Sequence, residues 1–178
     1  MKLNNRTTLP LTATMALLAS AGSALAQTTF TGPNSGNNDG WNNVANWDAG
    51  IPTGAINVII PDNRQVMVQD NNTALVTQIY TGNLSLGAGA TLNIGYTAGS
   101  IEDYRALGTP GTTVITAGAG ATFGFNRTPG TVIVPEIQML GDITIMTGSS
   151  TNNVPDLFFD HGIHGAYTVT VNGCLLYT

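Results

Sequence analysis

Leu84-Ser-Leu-Gly-Ala-Gly-Ala-Thr-Leu-Asn-Ile94 reads as two short strands joined by a glycine corner. It recurs 31 residues later as Ile115-Thr-Ala-Gly-Ala-Gly-Ala-Thr-Phe-Gly-Phe125. The pentapeptide Gly87–Thr91 matches Gly118–Thr122 letter for letter, and the flanks keep their small or apolar positions: Leu84/Ile115, Leu86/Ala117, Leu92/Phe123 and Ile94/Phe125. A repeat of this length is the mark of stacked supersecondary units. Each unit is too short to bury its own apolar face. Stacking at about 4.8 Å gives every backbone N–H and C=O a partner above and below. Alternate residues then point into one continuous core, here Leu84/Leu86, Leu92/Ile94, Phe123/Phe125 and Ile143/Ile145. Gly87, Gly89, Gly118 and Gly120 fall where the chain must turn.

Working outward, the same texture continues. Short β-branched runs span 55–60, 65–68, 74–80, 113–116, 122–125, 131–134, 137–140, 143–146 and 166–171, and Gly, Asn, Asp or Pro stands at nearly every break. Leu157–Asp160 follows a turn cluster at 147–156. No run has sustained helical periodicity. Residues 95–111 interrupt the series as a loop insertion, in which Ser100 can cap a short helix over 101–107. A second echo, Tyr80–Leu86 against Met139–Ile145, lies at an offset of 59, close to twice 31. The predicted class is all-β, a parallel β-helix or β-solenoid whose terminal rungs need capping. The alternative is an antiparallel β-sandwich, which shares the short strands and turns but not the repeat.

The N-terminal stretch is of a different kind. Lys2 and Arg6 precede a mostly apolar run from Leu9 to Ala24, and Ala24-Leu-Ala26 supplies a small-residue cleavage site before Gln27. Residues 1–26 read as a secretory signal peptide. The run is too short and too rich in Thr and Ser to serve as a membrane anchor. The mature chain keeps Arg64, Arg105 and Arg127 against ten acids, a formal charge of −7. So few cations exclude extensive phosphate contacts, and with them nucleic acid and anionic membrane surfaces as partners. Only 8% of all residues are charged, which argues against helical surfaces. The single cysteine, Cys174, permits no intramolecular disulfide.

The organisation expected is a signal peptide over 1–26, a flexible leader over 27–40, a β-solenoid domain over 41–172 and a tail over 173–178. Cys174-Leu-Leu-Tyr-Thr178 resembles a translated sequencing-adapter tail, from which a truncated chain is expected. The polar piece between Trp41 and Trp47 suits one helical turn, with a chain reversal at Asp48-Ala-Gly50.

With these residues in view, the chain resembles bacterial secreted β-solenoid repeat proteins of the autotransporter-passenger type. Gly40-Trp41, Asn46-Trp47-Asp-Ala-Gly-Ile-Pro52 and Ile56–Ile60 resemble their opening turn and first strand, and Leu84–Ile94 resembles their "G..L.l..GatL.i" rung. The resemblance spans residues 40 to 146. It implies a right-handed parallel β-helix, exported to the cell surface, with a structural or adhesive role. Ala55 stands where the pattern often has Asp, and nothing matches the membrane barrel of an autotransporter.

No catalytic set emerges from the sequence. Asp160, His161 and His164 offer carboxylate and imidazole ligands that suit zinc or a related ion, yet H-x-x-H in a strand loop splits the two rings. A glycosidase needs two acids set across a bond; Asp62, Asp70, Glu102, Asp103, Asp156 and Asp160 are the candidates. Asp62 and Asp70 fall in corners, where acids serve turns. Trp41 and Trp47 can stack on sugars or fill the N-terminal end of the solenoid, and the large area of an indole favours the second. Asp39 and Asp48 lack calcium-loop spacing. The sequons at Asn71, Asn83 and Asn126 matter only in a eukaryotic secretory pathway. No cofactor is implied. The partners expected are extracellular glycans or other surface proteins, and the rival function is a β-helical polysaccharide-degrading enzyme or carbohydrate-binding module.

Overall fold

A computed structural model of the chain describes residues 26–32, 40–68, 80–94, 105–125, 131–147 and 156–173. The strands in chain order are β1 (Ala26–Thr29), β2 (Ile56–Ile60), β3 (Gln65–Met67), β4 (Leu84–Leu86), β5 (Thr91–Ile94), β6 (Val114–Ala117) and β7 (Thr122–Phe125). They continue as β8 (Thr131–Val134), β9 (Glu136–Met139), β10 (Ile143–Thr147), β11 (Asp156–Phe159), β12 (Ile163–His164) and β13 (Val169–Asn172). Three sheets form, ordered β1-β2-β4-β6-β9-β12, β3-β5-β7-β10-β13 and β8-β11, and every pair of adjacent strands is parallel. This is a parallel β-solenoid, as the repeat predicts; the sandwich is excluded because its sheets would be antiparallel.

The quoted repeat sets the register as read: Leu84 pairs with Ile115, Leu86 with Ala117, Leu92 with Phe123 and Ile94 with Phe125. In the first sheet one column runs Val58, Leu84, Ile115, Ile137, Ile163. In the second it runs Val66, Leu92, Phe123, Ile145, Val171. Each member of the second column lies eight residues after its partner in the first, so the first-to-second corner has a fixed length over five rungs. The rungs themselves advance by 26, 31, 22 and 26 residues. All of that variation falls on the return path from the second sheet to the next strand of the first.

This corrects the second echo. Ile143 and Ile145 lie on the second sheet, whereas Leu84 and Leu86 lie on the first and stack, through Ile115 and Ala117, on Ile137 and Met139. The offset of 59 therefore joins positions that are not equivalent.

The fixed corner explains the glycines. Gly89 and Gly120 hold φ of 65° and 74°, and the equivalent residue one rung earlier, Asn63, holds 55°. Asn tolerates this left-handed region better than other side chains do. Gly118 has an ordinary φ but packs so closely that a Cβ would lie 2.7 Å from the Ala88 nitrogen. The corners are tied rung to rung: Asn63 N–H donates to Ala88 O, Gly89 N–H to Ala119 O and Gly120 N–H to Asp142 O, at 2.8, 2.9 and 2.7 Å.

The N-terminal end is closed. The leader expected over 27–40 is in fact ordered at its start: Gln27–Thr29 belong to β1, which pairs with β2 from Ala26↔Ile56 to Thr29↔Ile59. Gln27-Thr-Thr29 has no apolar and polar alternation, so its letters do not mark a strand. Gly40 bridges to Met67, so Trp41 enters the first rung of the second sheet. The helical turn expected near Asn42–Asn46 is a 3-10 turn over Val44–Asn46, capped by the Asn43 side chain, which accepts from Ala45 N–H at 3.1 Å. Residues 46–50 then return along the outer edge of β1. Thr31 N–H donates to Asn46 O (2.7 Å), Thr29 N–H to Asp48 Oδ1 (2.7 Å) and Thr28 Oγ1 to Gly50 O (2.8 Å).

Of the expected strand 74–80 only Tyr80 is described, bridging to Gly54. Of the expected helix 101–107, Arg105–Leu107 is described, as one 3-10 turn. No described helix is long and apolar enough to cross a membrane.

Candidate functional site

The polar side chains of the described rungs are chiefly engaged with the backbone. Asn57 Oδ1 accepts from Asn83 N–H (2.9 Å), and Asn83 Oδ1 accepts in turn from Val114 N–H (3.1 Å). Asp62 Oδ1 accepts from Ala88 N–H and Asp142 Oδ1 from Thr168 N–H, both at 2.8 Å. Asp48 accepts from Thr29 N–H, and that backbone hydrogen bond holds its carboxyl below the usual carboxylate range. A carboxylate so placed supports a corner or an edge of the stack.

One shallow pocket, of about 90 Å³, stands apart. It is lined by Gly111, Thr112, Thr113, Val114, Glu136 and His161, so three successive rungs contribute to it. The turn at 109–113 supplies the first wall. Thr113 N–H donates to Thr109 O, Thr112 Oγ1 donates to the same carbonyl, and Gly111 takes φ of 77°. Glu136 opens β9 and pairs with Val114. His161 comes from the reversal before β12, where Gly162 takes φ of 84°.

The imidazole is oriented. His161 Nδ1 lies 3.1 Å from Asp160 Oδ2, and Asp160 N–H donates to Val134 O at 2.9 Å. Asp160 Oδ2 is placed to accept from Nδ1 when that nitrogen carries a proton. Glu136 Oε1 accepts from Gln138 Nε2 at 3.0 Å. The site thus offers an oriented imidazole and a second carboxylate. Its lining contains no arginine, and its size suits a few waters or a substituent, not a whole sugar ring.

The predicted residues are distributed as follows. Asp160 and His161 meet, but a ring nitrogen of His164 lies 2.7 Å from the His161 carbonyl oxygen, and His164 does not join the pair as a third ligand. Among the described residues no group of three His, Cys, Asp or Glu side chains could hold a metal ion. Trp41 and Trp47 are 1% and 5% exposed, with ring centroids 4.9 Å apart. Trp47 Nε1 donates to Trp41 O (2.8 Å), Phe30 packs edge-on against Trp47, and Trp41 stacks on Tyr80 at 6.2 Å. Their burial leaves no ring face open to a sugar. Asp156 is exposed at the start of β11, and Asp62 is a corner residue. Asp70, Glu102, Asp103, Asp39 and Arg127 lie outside the described residues, as do the sequon residues Asn71 and Asn126. Arg64 Nη1 donates to Gly32 O (3.1 Å). Sequence reasoning missed Glu136 and Thr112. The 22-residue rung from Ile115 to Ile137 and the 26-residue rung from Ile137 to Ile163, neither marked in the sequence, set them beside His161.

Comparison of the chain with protein-family models, with curated proteins and with solved structures finds no match.

Proposed function

We propose that this chain is an exported β-solenoid segment with a structural or adhesive role at the bacterial cell surface. One observation carries the reading: Asn57, Asp62, Asn83, Asp48 and Asp142 all serve backbone N–H groups of their own stack. Side chains distributed in this way support a scaffold and do not converge on a reacting bond. The signal-peptide pattern at 1–26 and the low cation content agree with export and with glycans or surface proteins as contacts. The test is expression in a bacterium with fractionation and surface labelling, followed by binding to immobilised polysaccharides and host-surface proteins. Export with saturable binding but no turnover is the expected outcome. Cytoplasmic retention of the full chain with residues 1–26 intact would refute the export reading.

The rival, a polysaccharide-degrading enzyme or carbohydrate-binding module, has one feature in its favour, the Glu136 and His161 pocket with Asp160 behind it. Release of reducing ends from a polysaccharide panel, abolished in Glu136→Gln and His161→Ala, would replace the scaffold reading with this one.

A further inference from the structure

The backbone donors along β1 and just beyond it alternate in direction. Phe30 N–H donates to Ile59 O, so the even-numbered residues here turn their backbone groups toward β2 and the odd-numbered ones turn away from it. Thr31 N–H donates outward to Asn46 O, and Thr29 N–H donates outward to Asp48 Oδ1, both at 2.7 Å. Gln27 N–H shares their direction, and among the described residues no backbone carbonyl on that side meets it.

The same residue directly follows the small-residue cleavage pattern Ala24-Leu-Ala26. Cleavage there takes Ala26 out of β1 and leaves Gln27, Thr28 and Thr29 paired with Asn57, Val58 and Ile59. It also turns the Gln27 nitrogen into a primary amine. An α-amine titrates near pH about 8, so part of it is unprotonated and nucleophilic at neutral pH. Its own side-chain amide carbon lies at the distance that closes a five-membered ring, and Gln27 is exposed.

We propose that Gln27 is a modification site at which the mature chain closes its own N-terminus as pyroglutamate, an inference that rests on the export reading above. The α-nitrogen attacks Cδ, the Cδ–Nε2 bond breaks, and one amine proton leaves with the amide nitrogen as ammonia. No oxidant or other reactant enters. The fold accommodates the product. The ring of a lactam lies on the side of the nitrogen where the peptide N–H pointed, as a proline ring does. At Gln27 that side faces away from β2, the placement in which proline is tolerated at the first position of an edge strand. Ring closure leaves ψ and the carbonyl of Gln27 as they were, so the register with Asn57 is kept. The closure also completes the protection of this edge. Asn46 takes the Thr31 donor and Asp48 takes the Thr29 donor. The ring turns the remaining donor, at residue 27, out of line for a further strand.

The test is expression of the full chain in an exporting bacterium, with N-terminal sequencing and peptide mass measurement of the released protein after incubation at neutral pH. The expected chain starts at residue 27, gives no sequence because it has no free amine, and has an N-terminal peptide lighter by one ammonia than the linear form. Treatment of the unfolded protein with a pyroglutamyl peptidase should then expose Thr28-Thr-Phe-Thr31. Gln27→Asn, whose shorter amide cannot close this ring, should be released with an unchanged β-sheet circular dichroism spectrum and be sequenced from residue 27. A released chain that still begins with linear Gln27 would overturn this proposal and leave the export reading standing. So would a blocked Gln27→Asn chain, because another group would then cap the terminus, and so would a released chain with a different first residue. Retention in the cytoplasm with residues 1–26 intact would overturn both readings.

Discussion

The side-chain oxygen of Asn57 accepts a hydrogen bond from the N–H of Asn83, the residue stacked 26 positions on, and Asn83 repeats the bond to Val114. A two-step side-chain ladder thus runs along the start of the first sheet and fastens three rungs. Asn83→Ala removes the acceptor for Val114 and should lower the unfolding free energy by about 1 kcal/mol. Asn83→Asp keeps the acceptor and should cost less. Urea titration of both variants measures the difference, and equal losses would mean that the acceptor is irrelevant.

The core columns make a steeper prediction. Phe123 is fully buried between Leu92 and Ile145, whereas Phe158 is 60% exposed on the outer face of β11. Truncating the first leaves a cavity in the middle of the stack. Phe123→Ala should cost about 4 kcal/mol, and Phe158→Ala less than about 0.5 kcal/mol. Thermal and urea unfolding would separate them; comparable losses would contradict the inward and outward assignment.

Two glycines of one corner should fail for different reasons. Gly118→Ala drives a Cβ against the Ala88 backbone, which cannot yield without shifting the preceding rung; overpacking of this kind costs about 2 kcal/mol. Gly120→Ala meets no close atom but must hold φ of 74°, at about 1 kcal/mol. Gly120→Asn should recover part of that loss, as Asn63 does one rung earlier, while Gly118→Asn should be worse than Gly118→Ala. Stability measurements on the four variants decide whether geometry or space governs each position.

Tyr80 sits wholly in the core, its hydroxyl donating to Ala106 O at 2.8 Å, and burial pushes its phenol well above the ordinary value. The neutral form is favoured in the folded chain. Stability contributed by this group is full below pH about 10, where the unfolded phenol titrates, and is lost as pH rises from there through the raised folded value. Tyr80→Phe should flatten the alkaline limb of the stability profile, at a cost near neutrality of about 1 kcal/mol for the missing hydrogen bond. An alkaline limb of the same slope in both proteins would assign the effect elsewhere.

Asp48 predicts the opposite limb. Its hydrogen bond from Thr29 N–H lowers its carboxyl below the ordinary value. The stability it supplies is present above pH about 3.9, the unfolded value, and disappears as pH falls through the lower folded value. Asp48→Asn should remove this part of the acid sensitivity and loosen residues 46–50 from β1. Acid titration with hydrogen exchange at Thr29 reads both effects.

The register of the middle rungs was legible because Gly-Ala-Gly-Ala-Thr appears twice, and each half brings its apolar flanks with it. The neighbouring corners use the same geometry with different letters. Pro61-Asp-Asn-Arg64 puts Asn63 where Gly89 stands and spends Asp62 on the next rung's N–H, so nothing in its letters matches the repeat. Leu140-Gly-Asp-Ile143 likewise keeps the length and loses the text. β12 was missed because two residues, Ile163 and His164, give no alternation to read. The polar pocket was illegible for a related reason. Thr112, Glu136 and His161 are far apart in the chain and meet only because unequal rungs bring them into line.

The eight-residue step between the two long sheets has a consequence for how chains of this design can change. That step admits neither a gain nor a loss, because a single extra residue would turn a column of side chains inside out. The return path has already absorbed differences of up to nine residues between successive rungs. Insertions and deletions are therefore confined to one flank of the molecule. Related chains would agree in short, regularly spaced islands and drift between them. The four residues of the corner are the fixed points from which an alignment would have to be built.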